Sequence, residues 1–253
     1  LDHVLEPAVA HAPPSWYADS RVYGKMAPRS DDYAAFERSM DYKFRWWLYN
    51  QQWEPWYGTF TYGDGKNYFF RNNWYEWANN EPAMDYMWWM QFMRTGEPDY
   101  YRAGEAMSRH TMDVDNTHWP ADTEYRGDTN AALDWWTAKK APSGSPYVGM
   151  GRRHGDQQWT SMLSAHVWTA GWLASYYLDG YHRGLEVAKK TGDYYERRIF
   201  GEHGLRGRRL YLSVWNLAEL YDATKNPQYK EELDDRVDRM LQLQKEQGGN
   251  MII

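Results

Sequence analysis

Residues 72–118 decide the fold, and they read "NNWYEWANNEPAMDYMWWMQFMRTGEPDYYRAGEAMSRHTMDVDNTH". Between Ala83 and Met93 only Asp85 and Gln91 interrupt a run of apolar side chains. A helix of this composition is apolar around most of its circumference, so protein must cover it on nearly every side. We therefore predict that this segment is an inner helix of a helical protein.

The limits of this inner helix are marked in the sequence. Asn79 or Asn80 can accept a hydrogen bond from a free backbone amide of the first turn. Glu81 suits the positive end of the helix, and Pro82 tolerates the missing donor. Gly96 favours the left-handed conformation in which many helices end. We expect the helix to run between these signals.

A second helix follows directly. In residues 97–115, "EPDYYRAGEAMSRHTMDVD", apolar side chains recur on one face and charged side chains occupy the others. This pattern is typical of an outer helix with one solvent-facing side.

The rest of the chain repeats this alternation of inner and outer helices. We predict outer helices over residues 31–50, 182–200 and 228–247, and inner helices over residues 157–178 and 208–221. The junctions "RTGEPDYYRAGEAM", "LDGYHRGLEVA" and "ATKNPQYKEELDD" share a Gly or Asn stop and a short polar turn.

The repeat predicts an all-α fold, an α/α toroid of helical hairpins. The toroid should occupy residues 31–253, after an irregular N-terminal arm over residues 1–30. One outer helix and three pairs amount to about half of a six-hairpin barrel. The chain is therefore either an incomplete toroid or part of a longer protein.

The lengths of the connections locate a site. Connections from inner to outer helices take only a few residues, whereas those from outer to inner helices span residues 51–78 and 117–155. The first contains "GTFTYGDGKNYFF", whose alternation around Asp64 and Gly65 predicts a small β-hairpin. All the long loops should lie where the inner helices begin. Free amides and positive dipole ends there suit a ligand that carries a carboxylate.

Composition narrows the classes of function. The 253 residues include no cysteine, and the net charge of -6 is spread without a basic block, so we expect no nucleic-acid partner. The 16 Trp and 22 Tyr against 7 Phe favour surfaces that are apolar yet wet, as in clefts that stack on sugars. Residues 157–178 are uncharged, but their Gln, Ser and His side chains would lack partners in lipid, so we expect no membrane span.

The chain begins at Leu1 without Met, which indicates a mature or excised piece. We expect a secreted or periplasmic protein, with the cytoplasm as the alternative.

Polar side chains in the two long loops and on the neighbouring helices are the candidates for chemistry. The candidate catalytic residues are His154, Arg153, Tyr62 and His110. The candidate substrate-binding residues are Arg71, Asn72, Trp74, Asn79, Asn80, Glu81, Arg126 and His166.

Two of these candidates have a structural alternative. The segment "RRHGD" at 152–156 is either a solvated basic turn capped by Asp156 or a pair of cationic side chains that face a bound acid. His166 lies about two turns inside the predicted second inner helix, where a buried core histidine is the more common role.

A metal site is considered at the end of the second helix. The segment "HTMDVDNTH" brings His110, Asp113, Asp115 and His118 close together, and such side chains could hold a divalent cation such as calcium. The spacing matches no specific metal loop, and a helix end that runs into a polar loop is the alternative. We expect no metal and no other cofactor.

Residues 62–118 resemble the helical-barrel domain of the exo-rhamnogalacturonan lyase (PcRGLX/YetA-like) family. The resemblance continues in "GRRHGDQQW" and "SAHVWTAGWLASYYLDGYHRGLEVA" and covers roughly residues 53–201. It implies an α/α toroid that β-domains flank in a longer protein. It also implies β-elimination at a uronic acid of a rhamnogalacturonan-like polysaccharide.

Such a reaction needs three groups, which we assign from loop position and chemistry. Arg153 or Arg71, with Asn80, would neutralise the carboxylate. His154 and Tyr62 would act as base at the C5 proton and acid at the leaving oxygen, with His110 behind them.

Two other functions fit the same sequence. A glycoside hydrolase would use paired carboxylates, for which Asp64, Glu76, Glu81 and Asp156 are available. A non-catalytic glycan-binding fragment would use the Trp and Tyr side chains for stacking.

Overall fold

A computed structural model describes most of the helical part of the chain. The described residues are 10–53, 56–58, 61–69, 74–77, 80–118, 124–125, 139–140, 148–154, 159–162, 166–196, 205 and 207–249. Their α-helices are α1 (Pro14–Ser20), α2 (Ala34–Trp53), α3 (Met84–Thr95), α4 (Pro98–Asp113), α5 (Thr169–Asp179), α6 (His182–Glu196), α7 (Gly207–Thr224) and α8 (Pro227–Glu246).

Short antiparallel strand pairs lie in the long connections. They are β1 (Lys66–Phe69) with β2 (Trp74–Trp77), β3 (Glu124–Tyr125) with β4 (Lys139–Lys140), and β5 (Arg152–His154) with β6 (Trp159–Met162).

The predicted hairpin repeat is confirmed. The pairs α3–α4, α5–α6 and α7–α8 pack as hairpins, the inner helices α3, α5 and α7 contact each other in series, and so do the outer helices α4, α6 and α8. Gly96 and Gly180 end α3 and α5 in the left-handed conformation, with φ of 73° and 67°. The fold is the predicted α/α toroid, with small strand pairs in its long loops.

Two aromatic and aliphatic clusters form the core. The first joins α1, α2, α3 and α4, where the Phe44 ring stacks on Tyr100 with centroids 4.1 Å apart. The second joins α5 to α8 around the fully buried Leu173 and Leu217. These clusters bury the inner helices.

The arm is more ordered than predicted. Instead of being irregular throughout, it contains α1, which packs on α3 and buries Tyr17 in the first cluster. Pro14 supplies the fixed backbone of the first turn, since it lacks only a donor that would be unused there.

The second inner helix is shorter than predicted. Residues 159–162 are strand β6, and α5 begins only at Thr169. An apolar run does not by itself distinguish a buried strand from a buried helix. His166 consequently precedes the helix instead of lying two turns inside it.

The first hairpin is also displaced from its predicted turn. Asp64 and Gly65 precede β1 instead of separating the two strands, because Lys66 pairs with Trp77 and Phe69 with Trp74. Asp64 is fully buried. In the described part of the chain, no helix combines the length and apolarity that crossing a membrane requires.

Candidate functional site

Each long connection joins the end of an outer helix to the start of an inner helix, and these helix ends lie at one end of the toroid. The long connections span residues 54–83, 114–168 and 197–206, whereas each inner helix joins its outer partner through two residues. We call this end the mouth.

Three side chains from the starts of the three inner helices meet at the mouth. Glu81 precedes α3, His166 precedes α5, and Arg208 lies in the first turn of α7. The Arg208 guanidinium pairs with Glu81 Oε1, and His166 Nε2 lies 3.9 Å from the same oxygen. The Arg208 and Glu81 side chains are 54% and 41% exposed, so a ligand can reach both. We call these three residues the mouth cluster.

Aromatic rings continue from the mouth along the inner helices. The Trp168 and Trp215 ring centroids lie 5.0 Å apart, and Tyr86 packs edge-on against Trp215 at 5.6 Å. Tyr23 of the arm bridges Tyr86 and Tyr177 at 5.8 and 6.3 Å. These five rings, the aromatic wall, combine apolar faces with polar edges, as sugar stacking requires.

A carboxyl group borders the aromatic wall. Glu219 accepts a hydrogen bond of 3.0 Å from Trp215 Nε1. Burial raises the pKa of Glu219, the nearby Asp222 adds to this, and the bond from Trp215 opposes it. The group therefore holds a proton more readily than an exposed glutamate does.

The start of α3 is organised by a buried polar pair. Asn80 Nδ2 donates to Asp85 Oδ1 over 2.8 Å, and Asn80 Oδ1 accepts from the Asp85 amide over 3.3 Å. Asp85 Oδ1 also accepts from the Tyr86 amide, and Ser108 Oγ of α4 donates to Oδ2 over 3.2 Å. Burial raises the pKa of Asp85 to about 6, although the bonds from Asn80, Tyr86 and Ser108 oppose the rise.

The prediction of free amides at the mouth is therefore corrected for α3 and α5. The Asp85 and Tyr86 amides are taken by side-chain oxygens, and the Thr169 amide donates to Asn216 Oδ1 over 3.0 Å. The capping role predicted for Asn80 is confirmed by its bond to the Asp85 amide. Positive charge for an anionic ligand comes from Arg208 instead.

A second polar cluster lies at the end of α4. His110 Nε2 is 3.2 Å from Asp115 Oδ2 and 3.8 Å from Asp64 Oδ2, and the Tyr62 ring meets the imidazole edge-on at 5.4 Å. Burial by itself lowers the pKa of His110, but Asp115 and Asp64 outweigh it, so the pKa is raised. These three residues are the described group whose donors gather closely enough to hold a metal ion.

The four side chains of "HTMDVDNTH" that were considered as metal ligands are only partly brought together. Asp113 accepts from Arg183 Nε over 2.6 Å, and His118 contacts the Met112 carbonyl. The buried Asp64, from the first long loop, joins His110 and Asp115 instead. The pairing of residues from separate loops is invisible in a local motif.

The structure describes some predicted site residues and not others. Arg71, Asn72, Asn79 and Arg126 lie outside the described residues. Trp74 lies in β2 and Arg153 and His154 lie in β5, each described through its backbone. Of the others, Glu81 and His166 come together at the mouth, while Asn80 is buried at the start of α3. Tyr62 and His110 come together at the end of α4.

Burial also changes what two predicted catalytic residues can do. His110 is fully buried, which argues against direct contact with a polymer. Burial, with the Asp113 carboxylate, raises the pKa of Tyr62 to about 12, so its phenol stays protonated at neutral pH and can supply a proton but not act as a base.

Sequence reasoning missed Arg208, Asp85, Asn216 and Glu219. Arg208 could have been found by the rule that selected Glu81, since it opens an inner helix. Asn216 bonds to Thr169 and Val167, 47 and 49 positions away, so no local signal marks it. Asp85 and Glu219 bond to the nearby Asn80 and Trp215, but only the packed fold shows how far they are buried.

The fold and the mouth define an α/α toroid domain whose opening is polar on one side and aromatic on another. Residues 7–127 match the family model for the PcRGLX-like protein C-terminal alpha/alpha toroid domain, which confirms the resemblance predicted from the sequence. The chain is also 26% identical over 232 residues to the uncharacterized protein YetA of Bacillus subtilis (strain 168). That alignment covers 82% of this chain and 24% of YetA, so the chain spans about a quarter of that curated relative.

Proposed function

We propose that the chain forms the uronate-binding mouth of a polysaccharide lyase that cleaves a rhamnogalacturonan-like polysaccharide by β-elimination. One observation carries the proposal: Glu81, His166 and Arg208 converge beside the aromatic wall. The similarity to a lyase-related toroid family supports the same reaction class.

Arg208 is the proposed partner of the uronate carboxylate. Its planar guanidinium matches a carboxylate through two parallel hydrogen bonds. Its ion pair with Glu81 is largely exposed, and such pairs are worth only about 0–1 kcal/mol. A substrate carboxylate can therefore replace Glu81 at little cost. Neutralising that carboxylate makes the C5 proton easier to remove.

His166 is a proposed base beside the predicted His154. Its Nε2 would take the C5 proton, the electrons of that C–H bond would form the C4–C5 double bond, and the C4–O bond would break. The leaving oxygen would take a proton from an acid, for which Tyr62, protonated at neutral pH, is the predicted donor. Glu81 Oε1, 3.9 Å from Nε2, would stabilise the imidazolium that forms when His166 takes the proton. Arg153 and Arg71 stay predicted contributors to carboxylate binding.

The raised pKa of Glu219 favours a second candidate function. A glycoside hydrolase needs a carboxylic acid that is protonated near neutral pH and lies beside the sugar. Glu219 lies beside Trp215 on the aromatic wall, and burial raises its pKa above that of an exposed glutamate, which is the direction this role requires.

One assay separates these functions. The chain is incubated with rhamnogalacturonan, homogalacturonan and ulvan while ultraviolet absorbance of unsaturated uronate and reducing ends are followed in parallel. A lyase yields both signals, a hydrolase yields reducing ends alone, and a glycan-binding protein yields neither.

Variants test the proposed residues. Arg208→Gln and His166→Gln should each lower lyase turnover by about 100-fold, as expected when one electrostatic or proton-transfer group is lost. Arg102→Gln removes an equally exposed arginine that pairs with Asp99 on α4, and it should leave turnover unchanged. Equal turnover of the Arg208 and Arg102 variants would contradict the proposed site.

A further inference from the structure

We propose that Asp64, His110 and Asp115 bind a divalent first-row transition-metal ion, Zn²⁺ or Mn²⁺, in a buried site that ties the long loops to α4. The proposal is independent of the lyase reaction. The sequence-based expectation is that no metal is bound, and the alternative considered there, a calcium-like site in "HTMDVDNTH", does not include Asp64.

The backbone carries these three side chains to one point. Gly63, with φ of +76°, presses so closely on α4 that a Cβ there would lie 2.6 Å from the Ala106 carbonyl. The next residue, Asp64, is thereby held against the last turn of α4, where His110 lies. Asp115 follows immediately after that helix, and its amide donates to the His110 carbonyl.

The donor atoms have the separations of a coordination shell. His110 Nε2 lies 3.2 Å from Asp115 Oδ2 and 3.8 Å from Asp64 Oδ2, and all three donors lie within 4.8 Å of one another. Ligands bound at about 2.1 Å from an ion lie about 3.0 to 3.4 Å apart in octahedral or tetrahedral geometry. The His110–Asp115 separation already fits this range, and side-chain movements of at most about 1.4 Å would bring all three donors to tetrahedral distances around one ion.

The buried carboxylates of the cluster also favour binding of a cation. The exposed fractions of the three residues are 0%, 0% and 3%. Two of the three side chains are carboxylates, and a divalent cation bound between them would offset their negative charge in this buried position. A divalent ion with a neutral imidazole brings the cluster to zero charge.

The donor types favour a particular class of ion. An imidazole suits Zn²⁺ and other first-row ions, and carboxylates suit Mn²⁺ as well. Calcium prefers six to eight oxygen ligands, whereas this cluster offers one nitrogen and two carboxylates. The edge-on Tyr62 ring restricts the orientation of the imidazole plane.

Metal binding here would stabilise the base of both long loops. Asp64 lies in the first loop, and Asp115 adjoins Asn116, whose side chain donates to the Gly149 carbonyl on the returning end of the second loop over 3.2 Å. An ion would therefore link α4 to both connections. Its removal should lower the melting temperature without depending on any substrate.

The test uses the chain with any affinity tag removed, stripped with EDTA and dialysed into chelator-free buffer. Elemental analysis after incubation with Zn²⁺, Mn²⁺ or Ca²⁺ should find one Zn²⁺ or Mn²⁺ per chain. Asp64→Asn and Asp115→Asn should weaken Zn²⁺ affinity in titration calorimetry by about 100-fold or more. The control Asp113→Asn changes a carboxylate two residues away that pairs with Arg183, and it should bind normally.

A second readout needs no variant and so survives a variant that fails to fold. Co²⁺ added to the stripped chain should give the visible absorption of a protein-bound ion with nitrogen and oxygen ligands, and Zn²⁺ should raise the melting temperature of the unmodified chain. The spectrum of aqueous Co²⁺ with no change in melting would overturn the proposal. So would preferential uptake of Ca²⁺, or equal losses in the Asp113 and Asp115 variants.

Discussion

Asp85→Asn should remove a pH-dependent cost from the folded protein. Burial raises the pKa of Asp85 to about 6 from its usual 3.8, against the hydrogen bonds from Asn80, Tyr86 and Ser108. Between these values the folded chain binds more protons at this site than the unfolded chain does. The contribution of Asp85 to stability is therefore fully present below about pH 4 and is lost as the pH rises through about 6.

The size of the effect follows from the shift. A difference of about two pKa units corresponds to about 3 kcal/mol between the two protonation states. The asparagine can keep the bonds of this site, because its oxygen can still accept from Asn80 and from the Tyr86 amide, and its amide can donate to Ser108 Oγ. The variant should consequently gain stability relative to the parent as the pH rises.

Urea unfolding of parent and variant between about pH 4 and pH 7.5 measures this difference. The free energy of unfolding of the variant minus that of the parent should rise by about 2 kcal/mol across this range, the part of the full effect that lies above pH 4. Asp99→Asn removes an exposed carboxylate and serves as the control, with a nearly flat difference. A flat difference for Asp85→Asn, or one that falls with rising pH, would refute the buried, raised-pKa assignment.

Three further substitutions test the packing that positions the mouth. Arg94→Met should lower the free energy of unfolding in urea by about 3–5 kcal/mol, because it removes the cationic partner of the buried Glu37 carboxylate on α2. A loss under about 1 kcal/mol would contradict a buried ion pair. Asn216→Ala should lower stability by about 2 kcal/mol and speed hydrogen exchange at the start of α5. As a control, Asn226→Ala removes an exposed helix cap and should lower stability by only about 1 kcal/mol. Equal losses for the Asn216 and Asn226 variants would contradict the role of Asn216 at the start of α5. Gly171→Ala should cost about 1–3 kcal/mol, since its Cβ would lie 2.1 Å from Asp85 Oδ2; an unchanged melting temperature would oppose that contact.

The fold was predictable because its signals are local. The apolar run from Ala83 to Met93 makes α3 an inner helix whatever its neighbours are, and it includes the fully buried Trp89 and Met93. Gly96 and Gly180 stop their helices through their own backbone freedom. Each of these features depends on residues within a few positions.

The start of α5 was not predictable in the same way. Residues 157–178 are apolar enough for either a strand or a helix. The side chain of Asn216, 47 residues away, accepts from the Thr169 amide and donates to the Val167 carbonyl, and so fixes the boundary. A contact of this kind exists only after α7 has packed on α5.

The candidate site was likewise predictable in part. The loop lengths predicted the end of the toroid at which it lies, and Glu81 was selected on that basis. The partner of Glu81, Arg208, lies 127 residues away, and Asp64 met His110 only through the close approach of Gly63 to α4. Side chains that converge from separate hairpins need the packed fold to reveal them.

The central claim is that Arg208, beside Glu81 and His166, holds the acid of a glycan at the mouth. Titration calorimetry of the chain with rhamnogalacturonan oligosaccharides and with the same oligosaccharides after reduction of their carboxyl groups tests it directly. We predict that reduction weakens binding to the parent at least about 10-fold, as expected for a lost charge-assisted pair, and that Arg208→Gln shows no such difference. Equal affinity of the parent for both oligosaccharides would contradict the account.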